Sequence, residues 1–299
     1  MNNLTSLVRR DIKIFYRTKG NIFFSLLSVL ALVVLHFAIF RQMYTDIWEQ
    51  MMGDIPGLYV ERLHLQWIVD SLMFSAIIPI AAVSIALTTL GLMVADRENN
   101  TLSDFLVSPI RRNSLLASYL VSSFIVCFTM LAGLILFFKI YFFVVYGVGF
   151  TFVQAVMVLF VTIGAIVFAN VFMLLLVSFF KTQQSLSAIG AITGTGIGFI
   201  SGAYVPIGMF GEVVGNIFSA LPFMQITVLS RIAFLYNMRE VTPMTHEMLA
   251  GEVARSFGIE LWLGNRNMPI WSVVLIAGGI TLALLVCLMI RFAKMKKAD

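Results

Sequence analysis

The chain alternates between long apolar runs and short polar segments. Six of the apolar runs reach about 18 residues or more, which is enough to cross the hydrocarbon core of a bilayer as a helix. They occupy residues 21–40, 67–94, 115–138, 152–180, 186–207 and 270–292. The pattern predicts an all-α polytopic membrane protein with six transmembrane helices, built as a single transmembrane domain over residues 1–299.

A basic amphipathic segment precedes the first apolar run. Within residues 1–20 the apolar positions share one side of a helical wheel and the basic positions share the other. This arrangement predicts an N-terminal amphipathic helix that lies in the membrane interface. Asp11 falls on the apolar side, so it either pairs with a neighbouring base or marks a face that contacts protein. We favour the contact with protein.

A seventh apolar stretch, residues 208–236, is interrupted by charge and proline. Glu212, Pro222 and Arg231 fall inside it. Proline and charge at membrane depth need protein or water around them. We therefore predict a re-entrant or interfacial segment between the fifth and sixth spans, followed by an outer loop over residues 237–269.

Four glycines recur at intervals of four residues in the fifth span. They are Gly190, Gly194, Gly198 and Gly202. Residues four apart stack on one face of a helix, and small residues on such a face let helices approach closely in lipid. A merely flexible glycine-rich helix is the alternative. The regular spacing favours tight packing, either within the subunit or between subunits.

Composition and charge support a membrane protein and predict its orientation. Charged residues make up only 12% of the chain and the mean hydropathy is +0.96, which excludes an ordinary soluble domain. Thirteen of the 20 Lys and Arg residues fall in segments that are internal if both termini are cytoplasmic. We therefore expect a multi-pass protein of a bacterial cell (cytoplasmic) membrane with cytoplasmic termini. Its net charge of +5 requires no nucleic-acid partner.

Polar residues that could carry chemistry are few and scattered. The three histidines lie in separate regions, so no metal or catalytic cluster is visible. Asp70, near the outer end of the second span, is either a substrate or ion contact or a residue one turn from water, and we favour water. Residues 41–66 are expected to form a short polar outer loop, with Trp48 as a membrane-interface anchor.

A compact polar segment, residues 95–113, connects the second and third spans. It reads ADRENNTLSDFLVSPIRRN. Thr101 followed by Asp104 is typical of a helix start, Pro109 ends the turn, and the apolar residues between them share one face. A helix this short needs a partner surface to be stable. An ordinary polar hairpin loop is the alternative, but it would not need that apolar face.

The same segment resembles the cytoplasmic loop of type-2 ATP-binding-cassette (ABC) transporter permeases. That loop commonly reads Arg-Glu, a Gly-Thr-Leu-like turn, then Leu and Pro. Asn100 stands where the family often has Gly, a mild departure because Asn tolerates left-handed backbone. The amphipathic start, the six spans and the re-entrant segment extend the resemblance over nearly the whole chain. The residues that we assign to the loop's coupling function are Arg97, Glu98, Asn100, Thr101, Leu102, Phe105, Leu106 and Pro109.

The resemblance implies a transport subunit rather than an enzyme. In this family the loop is a coupling helix that docks on a separate ATPase subunit. Two permease copies, identical or paralogous, and two ATPase subunits would form the working unit. It would move a lipophilic or amphipathic drug, antimicrobial peptide or lipid outward. ATP and Mg would be bound by the partner, and this chain, which lacks the phosphate-loop motif, would bind no cofactor itself.

The resemblance also places the substrate path between the second and fifth spans of two subunits, with the re-entrant segment capping it outside. The residues available there are mostly apolar, which suits an apolar or amphipathic substrate better than an inorganic ion. The candidate lining residues are Phe74, Ile77, Ile78, Ile197, Phe199 and Tyr204.

A secondary transporter or channel subunit is the alternative function. It would require paired intramembrane charges or an internal repeat with broken helices, and the sequence offers one outer acid, Asp70, and no convincing repeat. A membrane-embedded enzyme would need clustered His, Asp or Glu at depth. The polar segment between the second and third spans favours the ABC permease.

Overall fold

A computed structural model describes residues 2–53, 60–101, 112–242, 252–264 and 266–295, which form a helical bundle with one small β-hairpin. The elements up to the third span are α1 (Asn2–Arg17), α2 (Lys19–Leu35), a π-helical turn (His36–Phe40), α3 (Arg41–Gly53), α4 (Arg62–Glu98) and α5 (Arg112–Tyr146). They are followed by α6 (Phe152–Val177), α7 (Gln183–Ile200), a 3₁₀ turn (Ile207–Phe210), α8 (Gly211–Ala220), α9 (Pro222–Phe234), α10 (Met238–Val241), α11 (Glu252–Ser256), β1 (Leu261–Leu263), β2 (Arg266–Met268) and α12 (Ile270–Met295).

Five helical segments among the described residues are long and apolar enough to cross a membrane. They are Lys19–Met51, Arg62–Glu98, Ser114–Tyr146, Phe152–Val177 and Ile270–Arg291. The number rises to six if the 3₁₀ turn and α8 are counted with α9 as one bent span. These segments agree with a helical polytopic membrane protein, while the count of six spans with a separate re-entrant segment stays a prediction.

The first span continues well beyond its predicted end. The chain stays helical through the π-helical turn and α3, and α4 already begins at Arg62. The prediction of an outer loop over residues 41–66 is therefore wrong for most of that range, which is helical. Arg62 at the start of α4 donates to the carboxylates of Asp46 (2.5 Å) and Glu49 (2.6 Å) of α3.

Trp48 is a core residue rather than a membrane-interface anchor. Its side chain is completely buried, and its ring centroid lies 4.8 Å from that of Phe257. The expected position was wrong because α3 packs against the chain that follows α11. The prediction of a loop over residues 41–66 did not include any helix packing at this position.

α7 is the helix predicted as the fifth span, and it connects the two ends of the bundle. At its start the Gln183 side chain donates to the carbonyl of Gly91 (2.6 Å), and beyond its end the carbonyl of Tyr204 accepts from Tyr44 (2.9 Å). Its 18 residues extend about 27 Å at 1.5 Å per residue. α7 therefore runs alongside the longer spans, although it ends at Ile200 rather than at residue 207.

The four glycines of the predicted packing face have different surroundings. A Cβ on Gly190 would overlap a leucine side chain of α4, whereas one on Gly194 would meet nothing within 4 Å. Gly198 lies against a tyrosine ring just beyond α7. Gly202 follows the end of the helix with φ +63°, a left-handed conformation that favours glycine. Close packing against another helix is therefore seen at Gly190 alone of the four, and Gly202 is not part of that face.

The segment predicted as re-entrant contains a sharp bend. The axes of the 3₁₀ turn with α8 and of α9 meet at 91°. Leu221 is extended, and Pro222 occupies the first turn of α9, where a missing N–H is tolerated. A continuous helix through Pro222 would bring its ring against a carbonyl of the preceding turn, so the chain breaks here.

α4 is the central helix of the bundle. In its most apolar stretch 78% of the residues are buried within the subunit, against 22% and 17% for the first and last spans. Phe74, Ile77 and Ile78 are completely enclosed, and the Phe74 ring stacks on Phe138 with centroids 4.3 Å apart. Their expected place on a path between subunits is therefore corrected, because α2, α5, α6 and α9 surround α4.

α1 and the end of α12 lie at the same end of the bundle. Arg10 in α1 bonds to Asp96 near the end of α4, and Arg291 near the end of α12 donates to the Ser178 carbonyl just beyond α6. We call this the α1 end, and we call the opposite one the hairpin end. Because both elements lie at the same end, the chain must cross the membrane an even number of times between α1 and the end of α12. Its cytoplasmic orientation stays a prediction.

The hairpin was not anticipated from the sequence. β1 and β2 pair antiparallel, with Leu261 opposite Met268, inside the segment expected as the outer loop over residues 237–269. Strands of three residues are too short for an alternating pattern to be recognised. The hairpin is a small addition to described residues that are otherwise mainly helical, so they remain consistent with an all-α polytopic membrane protein.

Candidate functional site

Three consecutive charged residues at the end of α4 attach this helix to other parts of the bundle. Asp96, Arg97 and Glu98 lie at the α1 end and are among the first residues of the segment 95–113, in which Arg97 and Glu98 were assigned to coupling. We call them the anchor triad. Each one bonds to different elements, so the end of α4 is held from several sides.

Asp96 joins α1 and α5 to α4. Its side chain is almost fully buried. The Arg10 guanidinium donates to Oδ1 (2.6 Å), and the Tyr119 hydroxyl donates to Oδ2 (2.5 Å). Hydrogen bonds to a charged group are stronger than neutral ones. The amphipathic helix is therefore attached directly to the beginning of the coupling segment.

Asp11 extends this network along α1. Its side chain is buried, with Arg10 Nη1 3.2 Å from Oδ1 and the Ser122 hydroxyl 3.4 Å from Oδ2. Burial raises the pKa of the Asp11 carboxyl to about 6, against the opposing effect of the Arg10 charge. Asp11 thus contacts protein, as favoured from its place on the apolar side of α1, and it also pairs with its neighbouring base.

Arg97 binds the end of α6. Its Nη1 donates to the carbonyls of Phe180 (3.2 Å) and Ser178 (3.5 Å). The Arg291 guanidinium shares the Ser178 carbonyl from α12. Carbonyls at a helix C-terminus lack intrahelical donors and carry partial negative charge, so cations are favourable there.

Glu98 binds the start of α7. Its Oε2 accepts the backbone N–H of Gln183 at 2.9 Å. The first amides of a helix lack intrahelical acceptors and favour a nearby anion. Together the triad contacts α1, α5, α7 and the residues after α6.

The coupling residues are only partly described by the structure. Asn100 follows α4 with φ +59°, as expected of an Asn that stands in place of Gly, and Thr101 comes next. Four further predicted residues lie outside the described residues, so the docking face stays a prediction. These are Leu102, Phe105, Leu106 and Pro109.

The predicted path residues of the fifth span are not brought to one exposed surface. Ile197 is buried within the subunit, whereas Phe199 is 39% exposed. The Phe199 ring contacts Tyr204, with centroids 5.1 Å apart. Phe199 and Tyr204 thus form a partly exposed aromatic pair near the hairpin end of α7, and the remaining candidates lie in the interior.

Asp70 forms a buried polar cluster that the sequence did not reveal. The expectation that it reaches water is wrong, because its side chain is completely buried. Oδ1 accepts from His36 Nε2 (2.7 Å) and lies 3.3 Å from Arg41 Nε, while Oδ2 accepts from the hydroxyls of Tyr141 (2.6 Å) and Tyr146. A carboxylate at membrane depth must find such donors. This need of a membrane-embedded carboxylate for donors was the one signal in the sequence that could have predicted the cluster.

Arg231 is a second buried charge that the sequence did not assign. Its guanidinium donates to four backbone carbonyls: Phe257 (2.6 Å), Gly258 (3.1 Å), Ser201 (3.2 Å) and Gly202 (3.1 Å). Within the described ranges, no carboxylate pairs with it. Arg231 thus holds α9 to the end of α7 and to the chain after α11.

None of these clusters has the composition of a metal centre. In the part of the chain that the structure describes, no group of three or more His, Cys, Asp or Glu could hold a metal ion. The clusters combine cations, carboxylates, hydroxyls and backbone carbonyls. Such sets position helices relative to one another, and the anchor triad does so at the beginning of the coupling segment.

Replacing Asp96 by alanine is expected to lower the free energy of unfolding by about 2–3 kcal/mol, because Arg10 and Tyr119 lose a charged acceptor. Unfolding of the purified protein by titration with SDS measures the change. Asp46→Ala is the matched control, since its pair with Arg62 is half exposed and such pairs contribute little. Equal stability of the two variants would contradict an anchoring role for Asp96.

Comparison with known families gives one match. The family model described as "ABC-2 family transporter protein" matches residues 59–291. That range runs from the start of α4 into α12 and contains the anchor triad, the bend and the hairpin. No curated protein matches the chain.

Proposed function

The chain belongs to the ABC-2 transporter family and is an ABC transporter permease, and from this premise we propose that it exports a lipophilic or amphipathic substrate using ATP hydrolysed by separate subunits. The family implies partnership with ABC ATPase subunits. Two permease copies and two ATPase subunits would form the transporter, with ATP and Mg in the partner. A drug, an antimicrobial peptide and a lipid are the substrate classes that we propose.

The anchor triad is the observation that carries this proposal. A segment that docks on an ATPase can drive transport only if its displacement reaches the membrane helices. Asp96, Arg97 and Glu98 supply direct bonds from its first residues to α1, α5, α7 and the end of α6. A push on the segment would therefore move several helices together.

The proposed path follows α7 rather than α4. Ile192 and Phe199 are seven residues apart and therefore lie on the same side of α7, and they are 68% and 39% exposed. We propose that this side of α7 faces the second permease copy. The apolar lining supports a lipophilic or amphipathic passenger. The Asp70 cluster gives no support to an ion channel, because its carboxylate oxygens already accept from donors inside the subunit.

Replacing Phe105 by aspartate tests the coupling directly. If Phe105 belongs to the docking face, the substitution places an unpaired carboxylate in the contact, and we expect ATPase stimulation and transport to fall at least about tenfold. The measurement is ATP hydrolysis and substrate efflux in proteoliposomes that contain the permease and its co-purified ATPase subunits.

Ser103→Asp is the matched control, because it adds the same charge at a position outside the apolar face. We expect it to keep most of the activity, and both variants should insert and purify like the unmodified chain. Full transport by the Phe105→Asp variant would refute docking through this face.

A further inference from the structure

A cavity of about 570 Å³ lies at the hairpin end, between α9, the hairpin and the start of α12. Its walls are mainly apolar and include Val228, Ile232, Leu261, Met268 and Val273. Cavities of 300–1,000 Å³ with apolar walls and a few polar groups are typical of small-molecule sites. The cavity is separate from the anchor triad, which lies at the opposite end of the bundle.

The residues that line this cavity include one acid, Glu260. Its Oε2 accepts from Trp262 Nε1 (3.2 Å) and from Asn267 Nδ2 (2.9 Å). Both donors are neutral, and over the described ranges no Lys, Arg or His forms an ion pair with Glu260. The nearby Arg255 donates instead to the Gly264 carbonyl at 3.2 Å. Among the residues that the structure describes, no fixed cation therefore pairs with the negative charge of Glu260.

The start of α12 places the cavity near the membrane interface. Ile270 lines the cavity and is 54% exposed, and the following Trp271 is 66% exposed. Exposed tryptophans at the end of a membrane span are typical of the interfacial region. Amphipathic molecules concentrate at this depth because one part of them favours lipid and the other favours water.

We propose that this cavity binds one amphipathic organic cation, with its apolar body against α9 and α12 and its cationic group beside Glu260. The apolar walls supply desolvation, and the carboxylate selects the sign of the charge. An anion of the same shape would meet repulsion from Glu260. Binding requires neither ATP nor an ATPase subunit, so this site is independent of the proposed export function.

Tetraphenylphosphonium and tetraphenylborate are suitable probes because they share a shape and carry opposite charges. Binding of each radiolabelled ion is measured to the full chain in lipid nanodiscs, and partition into empty nanodiscs is subtracted. We expect saturable binding of the phosphonium and no saturable binding of the borate. The absence of saturable phosphonium binding, or equal binding of both ions, would overturn the proposal.

Two substitutions test the location of the site. Glu260→Gln keeps an acceptor oxygen for Trp262 and Asn267 but removes the charge, so phosphonium affinity should fall by about fivefold or more. Met268→Trp should reduce binding by filling the cavity from the hairpin. Glu240→Gln, at an exposed acid outside the cavity, should leave affinity unchanged. Unaltered binding in both test variants, with both folded by their SDS unfolding profiles, would place the cation elsewhere.

Discussion

Replacing Asp70 by alanine is expected to lower the free energy of unfolding by about 3–5 kcal/mol, which would be among the largest effects of any single substitution in this chain. The change leaves the Arg41 charge without its counter-ion and deprives His36, Tyr141 and Tyr146 of a shared acceptor. These partners come from the first span and from α5. The loss should therefore loosen the contacts of both helices with α4.

The SDS concentration at the midpoint of unfolding measures the effect of the Asp70 substitution. Asp70→Asn keeps one acceptor oxygen and should fall between the alanine variant and the unmodified chain. Glu49→Ala serves as the control, because Glu49 is an acid of α3 whose pair with Arg62 is half exposed. Alanine variants at positions 49 and 70 with the same midpoint would show that the buried cluster does not stabilise the fold.

Replacing Arg231 by lysine is expected to destabilise the hairpin end by about 2–4 kcal/mol, although the charge is kept. The guanidinium is a planar fork that reaches carbonyls on two separate segments, whereas an ammonium group is a compact charge on a flexible stem. The lysine would therefore leave some of the four carbonyls without a donor in a buried place.

Hydrogen–deuterium exchange locates the expected change. Amides near Gly202 and Gly258 should exchange faster in the Arg231→Lys variant, while those of α1 should be unaffected. Arg239→Lys makes the same chemical change at an exposed position of α10 and should alter neither region. If the lysine variant retains unmodified protection around Gly202, the carbonyl contacts do not require a guanidinium.

The sequence predicted features that have local physical causes. The amphipathic pattern predicts α1, and the position of Asp11 on its apolar side predicts contact with protein. Pro222 predicts the break between α8 and α9, because proline cannot continue a helix without a clash. Asn100 was expected to tolerate left-handed backbone, and it adopts a positive φ. Each of these follows from residues close together in the chain.

The sequence could not distinguish apolar positions that face lipid from those that face protein. Phe74, Ile77 and Ile78 lie in a strongly apolar run, as the residues of α12 do, yet α4 is enclosed and α12 is mostly exposed. Lipid tails and protein interiors are similar solvents for such side chains, so hydropathy does not separate them. The substrate path inferred from hydropathy was misplaced for this reason.

The polar clusters were missed for a different reason. The donors to Asp70 lie more than 25 positions away on two other helices, and nothing in the local sequence identifies them. The acceptors of Arg231 are backbone carbonyls, which every residue type supplies. Clusters of this kind depend on tertiary packing, so they become recognisable only once the helices are placed.

The π-helical turn changes the direction in which the side chains after it point around the axis of the first span. His36 and Arg41 are five residues apart, which in an unbroken α-helix would separate them by about 140° around the axis. Here the Arg41 amide bonds to the His36 carbonyl, so one turn holds an extra residue and both side chains reach Oδ1 of Asp70. In evolutionary terms the turn resembles a single-residue insertion that the helix has absorbed. Deleting one residue of the turn would restore α-helical spacing and keep Arg41 on the side of His36. Converting the turn to an α-helix without a deletion would instead rotate α3 by about 100° relative to α2 and carry Arg41 away from Asp70.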